Sequence, residues 1–509
     1  MSKGLAILHI ARVTIEAKGP LSIAGERVDP EVDVAVERDA NGLPAIPGTS
    51  IAGSLRHLRE AEFRGDDGEA KYDRLFGWTA ADIREIEEDE LPRADTTYQA
   101  SRLAVTWAHV HDATDSAVDG LVTDRQKLRD DPILAPLLDP VPARRDHVAL
   151  DHRGVAGDEV KFDRSYVPPG YRFTFELRLR SDKQRADAEK RADADWNEVL
   201  DLLGSPFWRL GGATLRGYGR VAVIRLATGR FDLGDADDYR RFMRHKPGLE
   251  RPSEALDVCQ PPEPGGGIGG VIRLVPEDFI RFGQGEALLG EHPDRDQEHS
   301  VDMLLLTVPK VRWPAEGVAS LESQAHLLVP ASAVKGAIAH RLRFHLHCRH
   351  KVFVDQPDGL EQRQAAAAAD HEAIFGSAKK DKDGSPTGKA GRLYLDDQLL
   401  PLADHREQIE LAAHNSIDRF SGGVRKSALF SEELLFRPKL EIPFRLDPPT
   451  DLEPEALARL QACFRQTLAD LVEGRLALGA GGSKGHGYCR GEVLPSSADA
   501  GAWLPEKSG

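Results

Sequence analysis

The chain has 509 residues, 40% hydrophobic and 29% charged, too many for one ordinary core and too mixed for a disordered or membrane-embedded chain. Its 83 acidic and 67 basic residues give a net charge of −16, which excludes a uniformly polycationic surface but leaves room for a local basic groove. Its four cysteines, Cys259, Cys348, Cys463 and Cys489, form no CxxC pair, which argues against a disulfide framework and fits a reducing cytoplasm.

The first element, AILHIARVTI, reads as an alternating strand. His9, Arg12 and Glu16 interrupt its apolar residues, so it is not a secretory signal, and no apolar run reaches the ~18 residues of a membrane span. A polar insertion follows, GERVDPEVDVAVERDANGLPAIPG, crowded by Asp29, Glu31, Asp33, Glu37 and Asp39. It suits a solvated acidic loop, or carboxylates that hold a divalent ion or move a proton. A short strand then ends at Pro47, and a helix begins. Thr49 or Ser50 can cap its first turn, and Ile51, Leu55 and Leu58 share one face.

Next come an FG pair (Phe76, Gly77), the acidic run EIEEDE, the strand SRLAVTWAHV and the loop-strand HVALDHRGVAGDEVKFDRSYVPPGYRF. A helix over Ala188–Leu203 and the glycine-rich turn RLGGATLRGYGRVAV complete the set.

The same landmarks recur in the same order. HLLVPASAVKGAIAHRLR carries Pro330, Ser332, Lys335 and Gly336, and Ser332 can cap its helix. IFGS, GRLYLDDQLL, HNSIDRFSGGVRKSALF, a helix over Pro454–Glu473 and ALGAGGSKGHGYCRGEV follow. The pairs Pro47/Pro330, Phe76/Phe375, Asp151/Asp418 and Gly217/Gly485 keep nearly the same separation, the signature of an internal duplication.

Between the copies lies PPEPGGGIGG, a stretch unsuited to a helix or a central strand. The expected organisation is a first unit over 1–247, a linker over 248–269 and a second unit over 270–509. In the second copy, AAAAA and KKDKDGSPTGK predict a helix followed by a mobile insert. The order β-α-β-β-α-β makes the fold class α+β, with two tandem ferredoxin-like or RRM-like units.

Two recurring features suit phosphate. Glycine-rich turns (Gly211, Gly212, Gly217 and Gly219; Gly479, Gly481, Gly482, Gly485 and Gly487) can expose successive amides beside Arg216, Arg220 and Lys484, although they also suit plain tight turns. Helix starts at Ser50 and Ser332 offer hydroxyls and amides, for capping or for anions. Basic segments (Arg144, Arg145, His147, His152, Arg153 and Lys161; His414, Arg419, Arg425 and Lys426) suit phosphate contact or scattered surface charge. HRLRFHLHCRH gathers His340, His345, His347, Cys348 and His350, but its spacing matches no zinc pattern.

IPGTSIAG, HNSIDRFSGGVRKSALF and LGAGGSKGHGYCRG together resemble the RAMP superfamily of CRISPR-associated proteins, closest to the backbone subunits of type III effector complexes. The resemblance covers nearly the whole chain as two fused units, as in III-D and III-E branches, with III-D the nearer. It implies RAMP domains with inserted thumbs that grip crRNA and kink its duplex with target RNA. It also implies partners among other type III subunits, namely a large polymerase- or cyclase-like subunit and further backbone subunits, and no membrane.

By this resemblance Asp33 is the catalytic residue and a ligand for a divalent ion (Mg or Mn), with the RNA 2′-hydroxyl as nucleophile. Asp302 is its counterpart, although TVPKVRWPAEGVASLESQ separates it from Pro330. The RNA-binding set is Ser50, Arg56, Arg153, Gly212, Arg216, Gly217, Ser332, Lys335, Arg419, Arg425, Lys426, Gly482, Lys484 and Gly485. Ala52 stands where the family has Lys, and Ala331 where it has Gly.

Three other readings compete. One is a non-catalytic scaffold in the same complex. A crRNA-processing nuclease lacks a clear His after the first strand. A metabolic enzyme lacks a P-loop or dinucleotide fingerprint.

Overall fold

In chain order the first half runs β1 (Ile7–Ala17), β2 (Ala45–Ile46), α1 (Gly48–Glu60), β3 (Leu103–Val105), β4 (Ala108–Val110), α2 (Arg125–Asp130), β5 (Arg144–Leu150), β6 (Ala156–Ser165), β7 (Arg172–Ser181), α3 (Ala188–Leu203), β8 (Val221–Asp232), α4 (Ala236–Phe242) and β9 (Asp257–Cys259). The second runs β10 (Ile268–Pro276), β11 (Phe279–Ile280), β12 (Thr307–Arg312), β13 (Ser320–Val329), α5 (Ala331–Arg349), α6 (Leu360–Phe375), β14 (Leu393–Leu395), β15 (Gln398–Pro401) and α7 (Leu402–His405). It continues with β16 (Ile409–His414), β17 (Phe430–Phe436), β18 (Leu440–Leu446), α8 (Pro454–Val472), β19 (Glu473–Ala477) and β20 (Tyr488–Pro495).

This computed structural model describes residues 7–25, 30, 32–60, 75–77, 100–150, 156–181, 188–250, 252–263, 267–283, 285, 287–290, 301–378, 388–426, 428–496 and 498–505. Asp29, Glu31, the EIEEDE run, His152, Arg153 and most of KKDKDGSPTGK lie outside the described residues.

The chain is a mixed α/β protein built on antiparallel sheets. In the first half β1 lies between β7 and β8, with β3 and β4 beyond β7. In the second, β10 lies between β18 and β20, with β14 beyond β18. Both halves thus place the first strand in the middle, beside the strand that follows the glycine-rich turn (β8 and β20).

β1 is buried along nearly its whole length. Its polar residues are therefore matched inside the protein. Arg12 donates to Glu176 at 2.6 Å, His9 lies 2.8 Å from Asp193, and Thr14 bonds Thr174 at 2.7 Å. Burying such groups without partners would cost several kcal/mol each.

Each half has its own core. The apolar faces predicted for α1 and α5 are buried: Ile51 and Leu55 are inaccessible, as are Val334, Ile338 and Leu342. α3 adds Trp196 and Val199, and α8 adds Leu460, Phe464 and Leu468. Each fully buried Leu or Ile contributes about 1.5–3 kcal/mol. α8 ends at Val472, and Glu473 begins β19.

Three expectations are corrected. Thr49 and Ser50 lie inside the first turn of α1, because the helix begins at Gly48, where a Cβ would sit 2.1 Å from the Val105 carbonyl oxygen. In α5, Pro330 occupies the N-cap position and Ser332 lies inside the first turn; the Ala331 amide donates instead to Asp397 Oδ1 at 2.8 Å. The stretch judged unfit for a central strand supplies the start of one, since Gly269 and Gly270 lie in β10. A Cβ on Gly270 would meet the Leu494 carbonyl oxygen at 2.2 Å, so glycine here permits pairing instead of breaking it.

The segment TVPKVRWPAEGVASLESQ forms most of the β12–β13 hairpin, which reaches across to the first half. Val311 and Ala319 enter the first core, and their amides donate to Pro169 and Ala113 carbonyls at 2.9 Å. Trp313 Nε1 donates to Gly170 at 2.7 Å, beneath the Arg172 guanidinium.

A second junction is ionic. Arg145 and Asp397, 5% and 3% exposed, pair at 2.7 Å, and Arg209 and Arg220 both reach Asp396. Burial raises the Asp397 pKa; the Arg145 charge and the Ala331 amide oppose that shift. Removing one member of a buried pair typically costs 3–5 kcal/mol. Asp397→Asn is expected to lower the urea-unfolding free energy by about 3 kcal/mol, and Arg145→Met/Asp397→Leu to recover part of the loss. An unchanged midpoint for Asp397→Asn contradicts a stabilising junction.

Candidate nucleic-acid interface

The two insertion carboxylates are held alike. Asp33 is exposed and accepts from the Asp163 amide at 3.0 Å, while its own amide donates to Asp163 Oδ1 at 2.8 Å. Asp302, also exposed, accepts from the Ser431 amide at 2.8 Å. Asp163 lies on β6 and Ser431 on β17, the returning strands of two hairpins. The structure therefore gives both aspartates one kind of anchor, a backbone amide on the returning strand of a hairpin: Asp163 near the open end of β5–β6, Ser431 at the loop end of β16–β17. It also distinguishes them: the first has a second carboxylate beside it, the second a hydroxyl. Arg144 lies 3.6 Å from Asp163. Neither Asp163 nor Arg144 stands out in sequence as part of this site, because the contact joins distant segments.

The hairpins are the elements read as thumbs. β5 pairs with β6 and β16 with β17, placing His147 opposite Phe162 and His414 opposite Phe430. Both pairs stack, with ring centroids 5.1 and 5.0 Å apart.

The base of the first hairpin is basic. Arg145 sits over the Tyr166 and Tyr218 rings, Arg216 over Phe162, and Arg164 beside Gly212. His147 donates to or accepts from Tyr218 at 3.0 Å. Burial, then the charges of Arg145, Arg216 and Arg164, push its pKa down to about 4.

The second hairpin carries an exposed loop. Asp418 accepts from the Phe420 and Ser421 amides and so shapes its turn. Phe420 is fully exposed, and Arg419, Arg425 and Lys426 are exposed around it. Among the described residues no carboxylate pairs with these three cations. Basic side chains around an exposed aromatic ring suit a nucleic-acid strand, whose bases stack and whose phosphates attract cations.

Some amides of the glycine-rich turns are committed inside the protein. The Gly212, Arg216 and Gly219 amides donate to Ser22, Ala213 and Pro20; those of Lys484, Gly485 and Gly487 donate to Gly481, Gly482 and Phe279. Each turn contains a short 3₁₀ segment that ends at Arg216 or Lys484.

Several other chosen residues have inward work. Gly217 packs against Ala331 and Asp397, where a Cβ would lie 2.5 Å from Asp397 Oδ1; Gly485, its counterpart, faces open space. Arg56 donates to the Gly77 carbonyl at 2.9 Å, and Lys484 to Glu432 at 2.9 Å. Lys335 donates to the Leu393 carbonyl at 2.7 Å; burial, then Arg216, lowers its pKa to about 7. Gly482 packs near Ala477, and Ser50 and Ser332 remain half-buried in their first turns.

In the helical histidine cluster, His345 and His350 pair with Asp470 and Asp370 at 2.8 and 2.7 Å. Among the described residues, three His, Cys, Asp or Glu ligand atoms converge elsewhere, at His414, Glu432 and His486. Asp33 and Asp163 instead offer two carboxylates, each with one oxygen on the other's amide; the second Asp163 oxygen lies 3.6 Å from Arg144. That donor set fits Mg²⁺ or Mn²⁺, which are commonly held by one or two carboxylates with substrate phosphates and water completing the shell.

The family model of the RAMP superfamily matches residues 14–222 and 318–490, and the chain belongs to that superfamily. No curated protein matches the sequence. Among the described residues no helix is long and apolar enough to cross a membrane.

The His147 shift has a defined sign. Between about pH 6.5 and 4 the unfolded chain binds the proton that folded His147 rejects, so stability is complete above 6.5 and falls as pH drops. His371 has the same sign, its pKa also lowered to about 4 by burial. The urea midpoint is expected to fall between pH 7 and 5, and His147→Phe to flatten part of that slope. A variant with the wild-type slope argues against a buried neutral imidazole here.

Proposed function

We propose that this RAMP-superfamily chain is a fused double backbone subunit of a type III, III-D-like CRISPR effector complex, in which two ferredoxin-like units bind crRNA. The units are read as residues 1–247 and 270–509, joined by 248–269. Target RNA pairs with the crRNA across both hairpins, and the first unit cleaves it through Asp33. The observation that carries this reading is the repeated anchor: an exposed aspartate fixed by the backbone amide of the residue after a stacked hairpin phenylalanine, once at Asp33 through Asp163 and again at Asp302 through Ser431.

In the proposed reaction Asp33 orients or accepts the proton of a target 2′-hydroxyl. That oxygen attacks the adjacent phosphorus, and the bond to the 5′ oxygen breaks. The products are a cyclic phosphate and a 5′-hydroxyl end once the leaving oxygen is protonated. Asp33 and Asp163 would hold a divalent ion that neutralises phosphate charge. The second unit lacks the partner carboxylate, since Ser431 stands at that place, so cleavage is assigned to the first unit and binding to both.

Stacking along crRNA is supported by the shape of the internal junction. The glycine-rich turn of one half docks on the helix start and strand kink of the other. The corresponding turn of the second half, at Gly485, and the corresponding kink of the first half, beside the 42%-exposed Trp107, remain available. Such a head-to-tail contact can be repeated by neighbouring backbone subunits.

Asp33→Ala in the reconstituted complex is expected to abolish target cleavage opposite this subunit while leaving crRNA binding intact; Asp302→Ala is expected to leave cleavage in place. Cleavage that survives Asp33→Ala favours the scaffold reading. The triple variant Arg419→Ala/Arg425→Ala/Lys426→Ala is expected to weaken RNA binding and to reduce the slope of log affinity against log salt by about 2, at ~0.7 per lost phosphate contact. An unchanged slope places the strand elsewhere.

A further inference from the structure

The two hairpin bases share geometry but not chemistry. In the first half His147 on β5, Arg164 on β6 and Tyr218 in the following turn meet at one place. In the second, His414 on β16, Glu432 on β17 and His486 take the corresponding positions. Glu432 stands two residues after Phe430, as Arg164 does after Phe162. His486 follows Gly485, as Tyr218 follows Gly217. A phenol and a guanidinium are thus exchanged for an imidazole and a carboxylate.

One ligand atom from each of His414, Glu432 and His486 lies within 4.8 Å of the other two. His486 is 8% exposed, and neither of its ring nitrogens has a hydrogen-bond partner. Its ring is fixed between Phe279 and the Gly481 backbone, where even a Cβ on Gly481 would lie 2.6 Å from it. His414 Nε2 is 2.6 Å from Glu432 Oε1, an ion-pair contact outside hydrogen-bond geometry. A buried polar group left unsatisfied costs about 1–3 kcal/mol. Two imidazoles and a carboxylate that converge without satisfying one another form a donor set with a missing acceptor of their lone pairs.

We propose that His414, Glu432 and His486 form a binding site for a first-row transition-metal ion of the Zn²⁺ class, with three protein ligands and one position left to water. Two imidazoles with one carboxylate select such ions over Mg²⁺, which prefers oxygen donors. The site is separate from the Asp33 carboxylates and does not depend on the proposed cleavage.

Two cations face it. Arg281 Nε donates to Glu432 Oε2 at 2.8 Å, and Lys484 Nζ to Oε1 at 2.9 Å. The ion takes Oε1 from Lys484, whose side chain is 36% exposed and can turn to solvent; Arg281 keeps Oε2. Lys484 is therefore a competitor of the ion. Occupancy frees its ammonium at the surface of the glycine-rich turn.

The test uses the full-length chain, stripped with chelator and titrated with Zn²⁺ by calorimetry and with Co²⁺ by visible absorption. One equivalent is expected, with a Kd below about 10 μM, a Co²⁺ spectrum of low coordination number, and no comparable binding of Mg²⁺. His486→Phe, which keeps an aromatic ring in the pocket, is expected to weaken Zn²⁺ by at least roughly 100-fold, since even the outer partners of metal ligands are worth 10–100-fold. Lys484→Met removes the competitor without touching a ligand and is expected to tighten binding. The proposal is overturned if no equivalent binds in that range, if His486→Phe binds like the wild type, or if Lys484→Met leaves the affinity unchanged. The Lys484 arm decides the matter should His486→Phe fail to fold.

Discussion

Asp397 is the point on which the arrangement of the two halves turns. One carboxylate, 3% exposed, accepts from the first amide of α5 and from Arg145 at the base of the first hairpin. It also lies against Gly217, where any side chain would collide with it. A buried charge is tolerated only when its partners are placed with little freedom. Three features become interdependent: the helix start of one half, the hairpin base of the other, and the turn between them. Glycine at 217 is required on two grounds, a left-handed φ of 93° and this contact. The β12–β13 arm then secures the same junction from another side with apolar surface, through Val311 and Ala319.

Matching elements in the two halves give two copies of these surfaces, and the junction uses one of each. What remains is an asymmetric pair of hairpin bases. The first gathers Arg145, Arg164 and Arg216 around aromatic rings, and it has spent Arg145 on Asp397. The second places Glu432 where the first has Arg164, and Arg281, Lys484 and His414 converge on it. The two halves therefore carry different local charge at matching places. A net charge of −16 over the whole chain conceals this, because what a phosphate meets is the local field.

Local features were legible in the sequence. The apolar spacing of Ile51 and Leu55 in α1 and of Val334, Ile338 and Leu342 in α5 marks their buried faces, and the recurrence of landmarks marked both hairpins and both glycine-rich turns. The misreadings share a physical cause. Capping of α5 by Asp397 joins residues far apart in sequence, while Ser332 was the local candidate. Gly269 and Gly270 read as breakers, because nothing local shows that Leu494 passes too close for a side chain. The Gly212, Gly219 and Gly487 amides looked free, because their acceptors, Ser22, Pro20 and Phe279, belong to other elements. Asp163 and Glu432 were missed for the same reason, and His414 and His486, although they stand in singled-out segments, give no local sign that they face each other.

The proposed cleavage site has a physical property that bears on when it would act. Asp33 and Asp163 each use one carboxylate oxygen to fix the other's backbone, which leaves one further oxygen apiece, that of Asp163 facing Arg144 at 3.6 Å. Two such atoms are too few to strip a hard cation of its water, since Mg²⁺ dehydrates reluctantly and demands near-octahedral ligands. A phosphate of a bound strand would supply the missing oxygens. On that account the site is completed by its substrate, and only when a strand is held at the hairpin base with its backbone turned toward Asp33. Ser431 beside Asp302 removes one of the two protein oxygens, so the second half would need still more from the strand. A single carboxylate-to-hydroxyl difference between otherwise matching anchors then separates a cutting unit from a holding one.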